Sequence, residues 1–220
     1  MVVDGWVVVD ADEPPPPHAA RDATEATSRP GARSERARTS GSLPIAACRN
    51  FTAEYAAEVP FTDVLAANEA YADRFDGGGL TGQAAKRLAV LTCIDTRIDP
   101  LGMLGLRPGD AKILRNAGAR VTEDVLRTLV LATYLLNVSR VMVIAHTDCR
   151  MVGGTDDDVH EAIAANGGPD TRSLQFQVTA DVGQTLQADV QRIRSSPYLG
   201  GVEVGGFRYD VGTGRLTQLC

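Results

Sequence analysis

Leu88-Ala89-Val90-Leu91-Thr92-Cys93 is an unbroken apolar run one strand long, with no alternation of polar and apolar residues. A strand with one wet face alternates, whereas a strand without alternation must be covered on both faces, as inside a parallel sheet. Val141-Met142-Val143-Ile144-Ala145 repeats the pattern, and Ala111-Lys112-Ile113-Leu114 follows the turn signal Pro108-Gly109-Asp110. Between the second and third runs, Thr122 is placed to cap a helix that carries Glu123 and Asp124 in its first turn, where carboxylates suit the positive end of the helix dipole. Val125, Leu126, Leu129, Val130 and Tyr134 are its expected buried face, and Asn137 its end. Strand, strand, helix, strand is α/β order, which predicts a mainly parallel central sheet flanked by helices.

Upstream, Thr62 or Asp63 is the expected cap of a helix with Val64, Leu65, Tyr71, Ala72 and Phe75 on one stripe, stopped by Gly77, Gly78 and Gly79. Downstream, a loop around Gly167-Gly168-Pro169, a helix from about Ser173 to Ile193, and two short strands at Val202–Val204 and Phe207–Val211 complete the reading. There is no internal repeat. Residues 10–44 hold Pro14 to Pro17, then Ala, Thr, Ser, Gly and scattered arginines, with almost no large apolar side chain. Such a composition cannot offset its own ordering entropy, so residues 1–47 are expected to be a disordered extension and residues 48–220 the folded domain.

Composition narrows the function classes. A net charge of −6 disfavours nucleic acid as a partner. The cluster Val2, Val3, Trp6 to Val9 lacks the basic start and cleavage site of a secretory signal, and no run approaches a membrane span. The four cysteines form no dense framework, which points to free thiols in a reducing, cytoplasmic setting.

In a parallel sheet, functional groups gather beyond the carboxyl ends of the strands. Cys93-Ile94-Asp95-Thr96-Arg97 leaves one such end and His146-Thr147-Asp148-Cys149 another. His146 and Cys149, three apart at the start of a helical turn, can converge on one ion, with Cys93 as a third ligand from the neighbouring strand. Two thiolates and an imidazole suit zinc better than magnesium or calcium, and three protein ligands leave a fourth position open, as in a catalytic site. Singly, a cysteine in an apolar strand is a small buried hydrophobe and a lone histidine a hydrogen-bonded residue. Together the two patterns use two of four cysteines and one of three histidines, all at strand ends. Asp95 and Arg97 alone read as an ion pair. Beside a metal, the carboxylate can orient a nucleophilic water while the guanidinium holds the carboxylate; released, Asp95 can fill the fourth position instead.

Cys-x-Asp-x-Arg followed by His-x-x-Cys resembles the signature of β-class carbonic anhydrases. The similarity continues through Arg115-Asn116-Ala117-Gly118 into the helix near Thr122, spans about Phe61 to Leu219, and is similar to the small bacterial, actinobacterial-type members. It implies one Zn2+ per subunit on Cys93, His146 and Cys149, with Asp95 as a ligand in a closed state only. It also implies an Asp95–Arg97 catalytic dyad and Asn116 and Gly118 in a substrate loop. The implied reaction is reversible hydration of carbon dioxide to bicarbonate and a proton by zinc-bound hydroxide, in a homodimer or homotetramer whose N-terminal helix, here 61–76, pairs subunits. Thr96 stands where many members carry serine, and Arg150 where most carry glycine. Three rivals stand beside it: a hydrolase of carbonyl sulfide or carbon disulfide on the same fold, a non-catalytic zinc protein with Asp95 as fourth ligand, and a thiol redox protein, which lacks a Cys-x-x-Cys pair.

Overall fold

The computed structural model describes residues 61–220; the expectations for residues 1–47, and for 48–60 of the folded domain, lie outside the described residues. The described residues fall into two units, 61–78 and 79–220.

The first unit carries helix α1, Thr62–Ala72. Neither Thr62 nor Asp63 caps it. The chain enters from Phe61 in the left-handed region (φ 84°), whose carbonyl accepts from Leu65 N–H at 2.9 Å, so Thr62 is already helical. Val64, Leu65, Tyr71 and Phe75 are all exposed, and the Tyr71 and Phe75 rings lie 5.6 Å apart.

The second unit is built on five strands: β1 (Leu88–Cys93), β2 (Ala111–Asn116), β3 (Arg140–His146), β4 (Glu203–Tyr209) and β5 (Leu216–Gln218). Their order is β2-β1-β3-β4-β5, parallel except for β5, which runs antiparallel on β4. The expected mainly parallel α/β sheet is therefore present. All six residues of β1 are buried, as the absence of alternation requires. Ala89 and Leu91 join Val141 and Val143 in the core under helices α2 (Glu123–Leu135) and α4 (Val182–Arg194), with Val125, Leu129, Leu186, Val190 and Ile193. Leu88, Val90 and Ile144 point to the other face, against Met103, Leu104, Leu106, Met142 and Phe207. This period of two makes both faces of the strands apolar.

Thr122 caps α2, its hydroxyl accepting from Val125 N–H at 3.3 Å, and Asn137 follows the helix end in the left-handed conformation. Tyr134, expected in the core, is 67% exposed. Ala132 holds the inward position, and two residues further on is roughly 200° round the helix. Two larger differences lie downstream. Helix α3, Asp156–Ala165, stands where no helix was expected, and residues 173–181, expected to be helical, are not. Thr155 and Asp158 form a capping box that starts α3. The Asp156 carboxylate accepts from Phe176, Gln177 and Val178 N–H, bonds a helix there would have needed for itself. Finally, the strands expected at Val202–Val204 and Phe207–Val211 are one strand, β4, and β5 is additional. Gly205 and Gly206 lie inside β4 because the sheet passes close to its neighbours there. A Cβ on Gly206 would stand 2.5 Å from Cys220 Sγ and 3.0 Å from Val190 Cγ2.

Candidate metal centre

Register brings the site together. Cys93 pairs with Asn116 across β1 and β2, and Thr92 with Ile144 across β1 and β3, so the carboxyl ends of all three strands are level. Cys93 is the last residue of β1 and His146 the last of β3, both buried. The chain then turns over Thr147 and Asp148 to Cys149. This is a tight turn, not the helical turn expected: Asp148 is left-handed (φ 53°), a conformation aspartate tolerates better than most residues. Thr147 N–H donates to Tyr209 carbonyl at 2.9 Å and Thr147 Oγ1 accepts from Val211 N–H at 3.1 Å, which fixes the turn to the end of β4.

The donor atoms of Cys93, His146 and Cys149 lie within 4.8 Å of one another. Donors on a tetrahedral zinc stand about 3.8 Å apart when both are sulfur. His146 donates through Nδ1 to its neighbour Thr147 carbonyl at 2.8 Å, which leaves Nε2 as the lone-pair nitrogen. That Nε2 is buried and has no hydrogen-bond partner. A buried, unpartnered imidazole nitrogen facing two thiols fits a thiophilic cation, and the three residues are those the sequence singles out.

The protons in the cluster agree. Cys93 is drawn down to about 3, first by the Cys149 thiol donating to it and then by His146 and the backbone N–H groups of Gly118 and Asp95, against the effect of burial. Cys149 is pushed up, mainly by that same bond to Cys93 and by burial. His146 is raised, chiefly by the Cys93 sulfur close beside it.

The Gly118 N–H points at Cys93 Sγ, 3.4 Å away. Gly118 reaches this position with φ 76°, and a Cβ there would meet Met151 Cβ at 3.2 Å, so the position suits glycine on two counts. Asn116 closes the loop around it, its amide donating to Arg120 carbonyl at 2.7 Å and accepting Arg120 N–H at 2.8 Å. Arg120 is in turn paired with Asp189 of α4.

Asp95 and Arg97 sit on the loop after β1. Asp95 Oδ1 accepts Arg97 N–H at 2.9 Å, a local turn that explains why the pair is spaced by one residue. Arg97 grips both carboxylate oxygens, Nε to Oδ1 at 3.0 Å and Nη2 to Oδ2 at 2.7 Å. The guanidinium holds Asp95 well below the usual carboxylate range, and Arg115 fixes the loop by donating to the carbonyls of Cys93 and Asp95. Two residues outside the sequence reading also belong to the site. Asp148 takes Arg97 Nη1 on its carboxylate at 2.6 Å and Nη2 on its carbonyl at 2.9 Å; its only sequence signal is its place between two candidate ligands. Asp189, a buried carboxylate in a polar helix, gave no local signal at all.

The left-handed residue of the ligand turn is Asp148, so Arg150 needs no glycine-like backbone and stands exposed. His160, on α3, pairs with Thr171 Oγ1 at 2.9 Å and packs against the Phe176 ring in a tilted arrangement.

A mainly parallel sheet with two cysteines and a histidine converging at its strand ends defines an α/β protein with a candidate Cys-His-Cys metal site. The carbonic anhydrase family model matches residues 88–167. β-Carbonic anhydrase 1 of Mycobacterium tuberculosis is 35% identical over 158 residues, 71% of this chain and 96% of that protein. A carbon disulfide hydrolase of Saccharolobus solfataricus is 39% identical over 104 residues, 44% of this chain and 51% of that protein. Among solved structures, the carbonic anhydrase of Streptococcus mutans matches with a TM-score of 0.70 at 33% identity, covering 74% of this chain and 99% of that one. The chain belongs to the β-carbonic anhydrase family.

Proposed function

We propose that the chain is a zinc-dependent carbonic anhydrase that interconverts carbon dioxide and bicarbonate, with Cys93, His146 and Cys149 as the three protein ligands. The observation that carries this reading is the unpartnered, buried Nε2 of His146 facing two thiols. Zinc bound there supplies a Lewis acid that makes water nucleophilic near neutral pH. Asp95, kept ionised by Arg97, accepts a hydrogen bond from the attacking water and so directs its lone pair. Because Arg97 occupies both Asp95 oxygens, the reading favours an open fourth position over a non-catalytic site closed by Asp95. A narrow cleft beside His146 and Cys149, walled by Met151, Val182 and Leu186, suits a small uncharged substrate.

The exposed apolar residues of α1 support assembly as a homodimer or homotetramer, and thiol ligands suit a reducing cytoplasm. Among the described residues no helix is long and apolar enough to cross a membrane.

Stopped-flow hydration of carbon dioxide by protein of measured zinc content tests the proposal. Turnover proportional to zinc is expected, with Asp95→Asn keeping its zinc and losing most activity. Stoichiometric zinc without hydration at any pH would reject it. The likeness to a carbon disulfide hydrolase motivates a second reading, hydrolysis of carbon disulfide or carbonyl sulfide, which sulfide release in the same preparations would reveal.

A further inference from the structure

Arg97 is shared between two carboxylates, and only one of them belongs to the proposed dyad. Nε and Nη2 grip Asp95, while Nη1 donates to Asp148 Oδ2 and Nη2 also reaches Asp148 carbonyl. Four of the five N–H groups of the guanidinium are thereby directed. The two acids differ in setting: the Asp95 side chain is 17% exposed and that of Asp148 79%. An ion pair as exposed as Arg97–Asp148 adds little to stability, so its consequence is the direction it gives Arg97.

That direction matters because Arg97 is itself 43% exposed on a loop. With one edge on Asp95 and the other facing water, a long flexible side chain has many other rotamers open to it. Asp148 fills the second edge from the turn between His146 and Cys149, so the turn that positions two metal donors also positions the guanidinium.

We propose that Asp148 is a positioning residue: it holds Arg97 on Asp95, and through Arg97 it keeps Asp95 away from the fourth ligand position of the metal. This rests on the zinc reading given above. Removing the Asp148 side chain frees Arg97, releases Asp95, and shifts the population toward the closed arrangement in which Asp95 is a ligand.

The test uses the full chain loaded with cobalt(II), whose visible spectrum reports its ligands, titrated with azide at neutral pH. Asp148→Gly removes the side chain without strain at a left-handed position. In the wild type azide changes the spectrum. In Asp148→Gly its apparent affinity falls about tenfold, as expected if about one molecule in ten keeps the position free. Asp148→Asn, which retains an acceptor oxygen for Nη1, recovers most of the affinity. Adding Asp95→Asn to Asp148→Gly also restores it, since no carboxylate is left to compete.

Wild-type azide affinity in Asp148→Gly would overturn the proposal. So would failure of either restoring substitution, or a wild type that azide does not perturb. If the wild type shows no thiolate-to-cobalt charge-transfer band, the metal site itself falls. If the band and azide binding are present but indifferent to residue 148, the site stands and only the role of Asp148 is lost. Should Asp148→Gly lose the band, the comparison of Asp148→Asn with wild type decides, an Asn variant with tenfold weaker azide binding and no restoration by Asp95→Asn counting against the proposal.

Discussion

Arg120 Nε donates to Asp189 Oδ2 at 2.7 Å, joining the loop after β2 to the middle of α4 across 69 residues of chain. Asp189 is buried, and Arg120 also donates to Gln177 carbonyl at 2.8 Å. Breaking a buried pair from one side leaves a charge without compensation, whereas replacing both partners with apolar groups does not. Asp189→Leu is therefore expected to cost about 3 kcal/mol of unfolding free energy in urea, and Arg120→Met added to it to recover most of that loss. A single-variant cost below about 1 kcal/mol, the range of a solvated pair, would contradict this account.

Gly118 carries a prediction that separates strain from ligation. Gly118→Ala places a Cβ against Met151 at a left-handed position, at a cost of about 1–2 kcal/mol. It also disturbs the N–H directed at Cys93 Sγ, and loss of such an outer contact weakens metal binding about tenfold or more. Denaturant unfolding and chelator competition measure the two effects independently. An alanine variant with unchanged zinc affinity would show that the N–H does not support the thiolate.

Asp156 predicts an acid-side dependence. Its carboxyl is held below its ordinary value, first by Val178 N–H and then by the N–H groups of Gln177 and Phe176. A depressed carboxylate stabilises the fold above its unfolded pKa, about 3.9, and that contribution disappears as pH falls through the folded value. Asp156→Asn should therefore be less stable than wild type at neutral pH, with the gap narrowing as pH drops below about 3.9. Taking the difference between the two proteins removes the shared titration of Asp158 and Asp210, which are lowered too. A gap that stays constant into acid would remove the carboxylate from this role.

These sites differ in how far the sequence discloses them. Leu88–Cys93 is read to the residue because a strand covered on both faces needs only its own apolar run. The proposed metal donors are legible for a related reason: each closes or follows such a strand. Helix α3 hides behind a capping box that uses aspartate in place of glutamate, and residues 173–181 behind a carboxylate 20 residues upstream of Phe176. Gly205-Gly206 reads as a break because glycine weakens a strand interior, yet here Gly206 admits Cys220 and Val190. Asp148 and Asp189 depend on partners 51 and 69 residues away, and no local pattern encodes such a pair.

The centre itself is tested most directly by X-ray absorption at the zinc edge of the purified full chain. The account predicts one zinc per chain with two sulfur ligands at about 2.3 Å and the remaining nitrogen or oxygen ligands at about 2.0–2.1 Å. It also predicts that Cys149→Ser reduces the shell to one sulfur. A shell without sulfur, a four-sulfur shell, or a spectrum that Cys149→Ser leaves unchanged would contradict the assignment of Cys93, His146 and Cys149.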